Sequence, residues 1–244
     1  MPNDNSAAIV IGGTSSIGRL VAVNLKDEGY SKVTITYQSR NKLAAELASD
    51  YGLHSRHLDF NEPGSENDLE SLIVENKEQL KSIVFCSATT HFVQPDHTLR
   101  DFSPDALLNS LNFNLVTLYR LVVYLNTHCK RSDVHIVFIG STAGVNYRGS
   151  NLGYIISKSS ILPMIKYLTR SYGHKFRMNC VSPGLMRTEF TKQFPNEYFE
   201  SFACDTPTLT LVTPKQVARV VLDLLLTDSG INGQQIVVDN GYNA

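Results

Sequence analysis

The chain has 244 residues, of which 42% are hydrophobic and 18% charged, with a formal net charge of −1. That apolar fraction can offset chain entropy, which excludes a disordered chain. With neither sign of charge in excess, nucleic acid and anionic membrane surfaces lose their electrostatic case as partners.

The opening residues lack a basic segment followed by an apolar run, so no signal peptide is expected. A first strand is predicted over Ala7–Gly12 and a helix over Ile17–Glu28, ended by Gly29. Lys32–Tyr37 reads as a second strand, Asn41–Asp50 as a helix, His54–Leu58 as a third strand and Ser65–Gln79 as a helix. Ser82–Cys86 is the fourth strand. A long helix follows over Pro104–His128, opened by Ser103 as cap with Pro104 at its first position. Val134–Ile139 is a fifth strand and Asn151–Tyr172 a helix, which Pro163 should bend by removing one hydrogen bond. Arg177–Val181, Pro214–Leu226 and Gln235–Val238 complete the pattern as strand, helix and strand.

The strands are continuous Val/Ile runs, such as IVIG and HIVFIG, which marks burial on both faces. Strand–helix alternation at this spacing implies right-handed crossovers and an α/β, Rossmann-type doubly wound parallel sheet of about seven strands in one domain, 1–244. Ligands of such sheets bind beyond the C-terminal strand ends. Cys86, Cys129, Cys180 and Cys204 stand far apart with no C-x-x-C pair, so no metal is expected. The apolar runs are too short to span a bilayer, and a cytoplasmic protein with reduced thiols is expected.

Two features carry chemistry. The first strand runs into Gly12-Gly13-Thr14-Ser15-Ser16-Ile17-Gly18, a turn whose glycines allow backbone to approach a diphosphate at a helix N-terminus. Further on, Ser141 follows the fifth strand, with Tyr154 thirteen residues later and Lys158 four after that. Tyr154 and Lys158 share a helix face, so a phenol and an ammonium can meet in one site. The ammonium is expected to lower the phenol's pKa, and the strand-end hydroxyl to hold a carbonyl oxygen.

The Ser141, Tyr154, Lys158 set with the N-terminal loop resembles the short-chain dehydrogenase/reductase family over nearly the whole chain. Gly12 and Gly18 match the family's G-x-x-x-G-x-G loop, with Ser16 in place of the middle glycine. The resemblance implies hydride transfer to a ketone, with Tyr154 as proton donor, Ser141 orienting the carbonyl, and Lys158 gripping the nicotinamide ribose. Asn114 matches the family's fourth catalytic residue, whose backbone holds a water of the proton relay. Asp59 resembles the aspartate that takes the adenine amino group, although a helix cap is an equal reading of it; Phe60 follows it. Pro183, Gly184, Leu185 and Thr188 resemble the segment that places the nicotinamide. Where the family has Asn-Asn-Ala-Gly, this chain has Cys86-Ser87-Ala88-Thr89, with only Ala88 matching and Ser87 able to supply a polar contact.

After the second strand, Tyr37-Gln38-Ser39-Arg40 contains no carboxylate to repel a 2′-phosphate, while Ser39 and Arg40 can bind one, so NADP(H) is the expected cofactor. Thr14, Ser15, Ser16 and Ile17 complete the expected cofactor contacts. A lid is expected at 189–207, with Phe190 and Phe194 lining the substrate site opposite His91, Phe92 and Tyr147. The expected substrate is a small molecule or acyl thioester. The nearest family likeness is to 3-oxoacyl-carrier-protein reductases, a ketoreductase of specialised metabolism fits equally, and a catalytically idle NADP(H) sensor or scaffold is a third reading. A homo-oligomer, tetramer or dimer, is expected.

Overall fold

The computed structural model describes residues 5–89, 103–149 and 151–244. His91 and Phe92, expected at the substrate site, lie outside the described residues.

Seven strands form one parallel sheet: β1 (Ala7–Ile11), β2 (Lys32–Tyr37), β3 (His54–His57), β4 (Leu80–Phe85), β5 (Val134–Ile139), β6 (Phe176–Pro183) and β7 (Gln235–Val238). Their order is β3-β2-β1-β4-β5-β6-β7, so the winding reverses between β1 and β4. The helices are α1 (Gly18–Asp27), α2 (Asn41–Tyr51), α3 (Ser65–Asn76), α4 (Pro104–Leu111), α5 (Thr117–His128), α6 (Ala143–Asn146), α7 (Leu152–Ser159), α8 (Ile161–Tyr172), α9 (Asn196–Cys204) and α10 (Pro214–Leu226).

Strand side chains alternate between two apolar layers, as their period of two requires. Ile9, Ile11, Ile83, Phe85, Ile136 and Phe138 pack under α3, α5 and α8 through Leu72, Leu121 and Ile165. Ala8, Val10, Val33, Ile35, Val84 and Val137 pack under α1, α2 and α10 through Leu25, Leu47 and Val221. Each such aliphatic side chain contributes about 1.5–3 kcal/mol on full burial. With both faces covered, the rim at the C-terminal strand ends is left for ligands.

Several segments differ from the sequence expectation, among them the short helix α6, which was not expected. The helix over 104–128 is continuous but contains a π turn at Asn112–Val116, centred on the buried Asn114. This stretch is the one described helix long and apolar enough to cross a membrane by length and composition, yet Leu118, Leu121, Val122 and Leu125 are buried against the sheet. The helix over 151–172 is interrupted at Ser160, whose backbone stays helical (φ −78°, ψ −12°), so that it divides into α7 and α8. Pro163 has no N–H for the Ser159 carbonyl, so the interruption falls one turn before the proline. The segment after β6 is itself structured, with a 3-10 turn at Glu189–Thr191 followed by α9. Arg187 holds α9 by donating to Asn196 Oδ1 at 2.7 Å and lying 4.4 Å over the Phe199 ring.

The turn leaving β1 has no space for a side chain at its glycines. A Cβ at Gly18 would lie 2.4 Å from the Gly12 carbonyl oxygen and 2.9 Å from the Gly13 Cα. Gly18→Ala is therefore expected to destabilise the fold by about 2 kcal/mol or more. The check is a lower urea midpoint at unchanged slope; an unchanged midpoint would show that the turn relaxes freely.

Candidate active site

A cavity of about 740 Å³ opens at the C-terminal ends of the strands. Its floor on one side is the turn between β1 and α1. Gly12, at φ +77°, donates its N–H to Thr36 Oγ1 at 3.0 Å, and the Ser15 hydroxyl accepts from the Gly18 N–H at 3.0 Å. Gly12, Thr14, Ser15, Ser16 and Ile17 line the cavity at the N-terminus of α1, while Gly18, the buried first residue of α1, does not. Close backbone and a helix N-terminus suit a diphosphate, so this cradle fits a dinucleotide. Ser39 and Arg40 line the cavity beyond β2, and Ser87 and Ala88 beyond β4.

On the other side stand the reacting groups. Asn151 caps α7, its Oδ1 accepting from the Tyr154 N–H at 2.9 Å, which sets Tyr154 and then Lys158 on the helix face toward β5. Ser141, just past β5, hydrogen-bonds the Tyr154 side chain. Lys158 is buried, donates from Nζ to the Ile139 carbonyl oxygen at 2.8 Å, and sits 5.7 Å from the Tyr154 ring centroid.

Burial dominates the titration of both groups. It pushes the Tyr154 phenol up to about 12, with the Ser141 hydrogen bond acting weakly the other way. Burial likewise brings the Lys158 ammonium down to about 8. The expected lowering of the Tyr154 pKa by Lys158 is not found: desolvation raises it, and the ammonium donates one N–H to the Ile139 carbonyl. Tyr154 keeps its proton across the neutral range and is placed to donate it.

Asn114 takes part through its side chain in a way the sequence does not disclose. Its Nδ2 donates to the Thr89 carbonyl oxygen at 2.8 Å, and its Oδ1 accepts from the Thr89 N–H at 3.0 Å. This two-point clamp holds the segment after β4, where the family pattern is altered. The π turn leaves backbone groups out of the regular helical ladder at the same point.

Pro183, Gly184, Leu185 and Thr188 line the cavity, as do Phe190 and Phe194. Gly18, Asp59, Phe60, Asn114 and Tyr147, named from sequence, do not line it. Asp59 Oδ1 accepts from the Asn61 N–H and Nδ2 at 2.9 and 2.8 Å, closing a local turn. Phe60 stacks on Phe85 at 5.8 Å and meets Phe113 edge-on at 5.5 Å, within the core. Tyr147, in the left-handed region at φ +61°, is 71% exposed and does not line the cavity. The cavity instead gains Thr36, Arg148, Tyr198, Phe202 and Tyr242. Phe202 stacks on Tyr242 at 4.1 Å, joining α9 to the chain's end. The aromatic spacing of 190–202 was visible in the sequence, but Tyr242 carried no signal.

Lys158 is charged in the unfolded chain up to pH ~10.5, whereas the folded chain releases its proton near 8. Its burial therefore destabilises the fold fully below pH 8, and the penalty fades as pH rises from about 8 toward 10.5. Lys158→Met is expected to be more stable than the wild type at pH 7 by ~2 kcal/mol, with the difference shrinking at pH 9–10. Urea unfolding at both pH values checks this; a constant or reversed difference would contradict it.

Comparison with known proteins places this geometry. A family model described as enoyl-(acyl carrier protein) reductase matches residues 12–243. The chain is 29% identical over 242 residues to a protein named as ketoacyl reductase 2 of the granaticin polyketide synthase of Streptomyces violaceoruber, covering 96% of this chain and 94% of the relative. It is 25% identical over 243 residues to a 3-oxoacyl-(acyl-carrier-protein) reductase of Chlamydia trachomatis, covering 97% of each. A short-chain dehydrogenase from Burkholderia cenocepacia, solved in complex with NADP, shares the fold at a TM-score of 0.87 and 20% identity over 98% of both chains. With the glycine turn, the Ser141–Tyr154–Lys158 cluster and a family match spanning nearly its whole length, the chain belongs to the short-chain dehydrogenase/reductase family.

Proposed function

We propose that this protein is an NADP(H)-dependent reductase that converts a ketone to a secondary alcohol. The reading is carried by the Ser141–Tyr154 hydroxyl pair, set beside Lys158 in the cavity that the glycine turn also lines. Gly12, Thr14, Ser15, Ser16, Ile17 and Gly18 would hold the cofactor's diphosphate, and Ser39 and Arg40 its 2′-phosphate. Pro183, Gly184, Leu185 and Thr188 would hold its nicotinamide. Ser87 and Ala88 would pass beside it. When bound, the cofactor supplies the hydride.

Tyr154 gives its proton to the carbonyl oxygen, and Ser141 fixes that oxygen by a hydrogen bond. Lys158 grips the ribose and offsets the charge left on Tyr154. Asn114 anchors the water that returns a proton, through backbone groups freed by the π turn. The relatives named above support a 3-oxoacyl thioester as substrate. A second reading, an apolar or aromatic ketone, draws on the wall formed by Phe190, Phe194, Tyr198 and Phe202. Residues 189–207 would act as the lid over either.

The test is NADPH oxidation with a 3-oxoacyl thioester, an aromatic ketone and a 2-enoyl thioester. Turnover of a ketone is expected. Tyr154→Phe should lower kcat about 10³-fold while leaving NADPH affinity within about twofold. Activity with the enoyl thioester alone would overturn the ketone reading, and a Tyr154→Phe variant close to wild type would overturn the acid assignment.

The same reading includes self-association. Leu108, Tyr119, Val123, Leu152 and Tyr167 are exposed apolar residues on α4, α5, α7 and α8, of which α4 and α7 pack together. Exposed apolar residues on such helices are consistent with a surface that pairs with a second copy. Sedimentation velocity at micromolar concentration should give a dimer or tetramer; a monomer would remove this part of the proposal.

A further inference from the structure

The lid's first turn carries a charge that the proposed reaction leaves unused. Glu189 follows Thr188 directly, opens the 3-10 turn, and lines the same cavity as Arg40. Its Oε2 lies 3.6 Å from Arg40 Nη2 and 3.1 Å from Lys192 Nζ. On its other side, Arg40 donates from Nη1 to the Thr14 carbonyl oxygen at 3.0 Å. One guanidinium thus ties the glycine turn to the lid.

The two elements are not neighbours in the sheet. Four strand spacings separate β2 from β6, about 19 Å at ~4.8 Å each. The Arg40–Glu189 pair therefore closes because the segment after β6 runs back over the strand ends, across the groove that a dinucleotide would enter. Both partners keep contact with solvent, with side-chain exposures of 38% and 54%. The pair is consequently weak and exchangeable. Lys192 and, secondarily, Arg40 hold the Glu189 carboxyl below its ordinary range, so it is an anion at neutral pH.

We propose that Glu189 is a specificity-determining residue of the cofactor site, an internal anion standing on the cation that would receive the 2′-phosphate of NADP(H). The inference rests on the NADP(H) reading above. A 2′-phosphate brings about two negative charges and a fork of oxygens that matches a guanidinium. It outcompetes a single carboxylate, and Lys192 keeps the displaced Glu189 paired. NADH presents a ribose hydroxyl at that position and leaves the Arg40–Glu189 pair in place. Glu189 therefore opposes NADPH binding more than NADH binding, and lowers the preference that Arg40 creates.

The test is fluorescence titration of wild type, Glu189→Gln, Arg40→Ala and the double variant with NADPH and with NADH. Glutamine is isosteric and the position is exposed, and thermal unfolding will confirm that the variants are folded. Glu189→Gln should tighten NADPH about fivefold and leave NADH within about twofold. In the Arg40→Ala background the same change should move NADPH by less than about twofold, as expected for coupled partners. High salt should compress the difference. Equal tightening of both cofactors would mean that Glu189 acts on the diphosphate they share. That result, or an unchanged or weakened NADPH affinity in Glu189→Gln, overturns this inference while a wild-type preference for NADPH leaves the cofactor reading standing. If the wild type prefers NADH and Arg40→Ala leaves NADPH unchanged, the cofactor reading fails and Glu189's role fails with it.

Discussion

A Cβ at Gly12 would lie 2.8 Å from the Ser87 amide nitrogen, so the turn after β1 and the segment after β4 meet backbone to backbone. This contact sits where the sheet order reverses, and connections leave the two strands in opposite directions there. The crevice between them exists because no side chain fills it. Asn114 reinforces the β4 side by taking both backbone groups of Thr89, and Thr36 reinforces the β1 side by accepting from the Gly12 N–H. The altered segment Cys86–Thr89 thereby keeps its place without the family's usual asparagines.

Around that crevice the protein keeps polar groups in a poorly solvated space. Desolvation moves the two principal groups in opposite directions, raising Tyr154 to about 12 and lowering Lys158 to about 8. A phenol that holds its proton is an acid waiting for a developing negative charge. An ammonium stripped of water is ready to engage a hydroxyl or an anion. The two apolar layers of the sheet offset the expense of burying them, a common arrangement where stability and function compete. Cys86 and Cys180, flanking the same lysine, are raised to about 12 and about 11 by burial and behave as small apolar side chains.

Much of the fold and part of the site were legible in the residues. Continuous Val/Ile runs announced strands buried on both faces, and the i, i+4 spacing of Tyr154 and Lys158 survives as a shared helix face. The π turn at Asn114 was invisible because Asn112–Val116 contains no glycine or proline to mark it. Pro163 announced a lost hydrogen bond and a bend, and the helix is interrupted at Ser160, since a proline disturbs the turn before it. For Asp59 and Phe60 the structure adds their neighbours: Asn61 and Gln38 engage the carboxylate, and Phe85 with Phe113 receives the ring.

By itself the sequence determined the parallel sheet, the glycine turn and the pairing of phenol with ammonium, because each depends on residues close together in the chain and on a period of two or 3.6. The tertiary structure alone decided which distant groups meet: Arg40 with Glu189, Phe202 with Tyr242, Asn114 with Thr89. It also decided the direction of the Tyr154 shift. Contacts between remote segments depend on how connections pack over the strand ends, and desolvation is a property of the finished packing, which no local pattern of residues encodes.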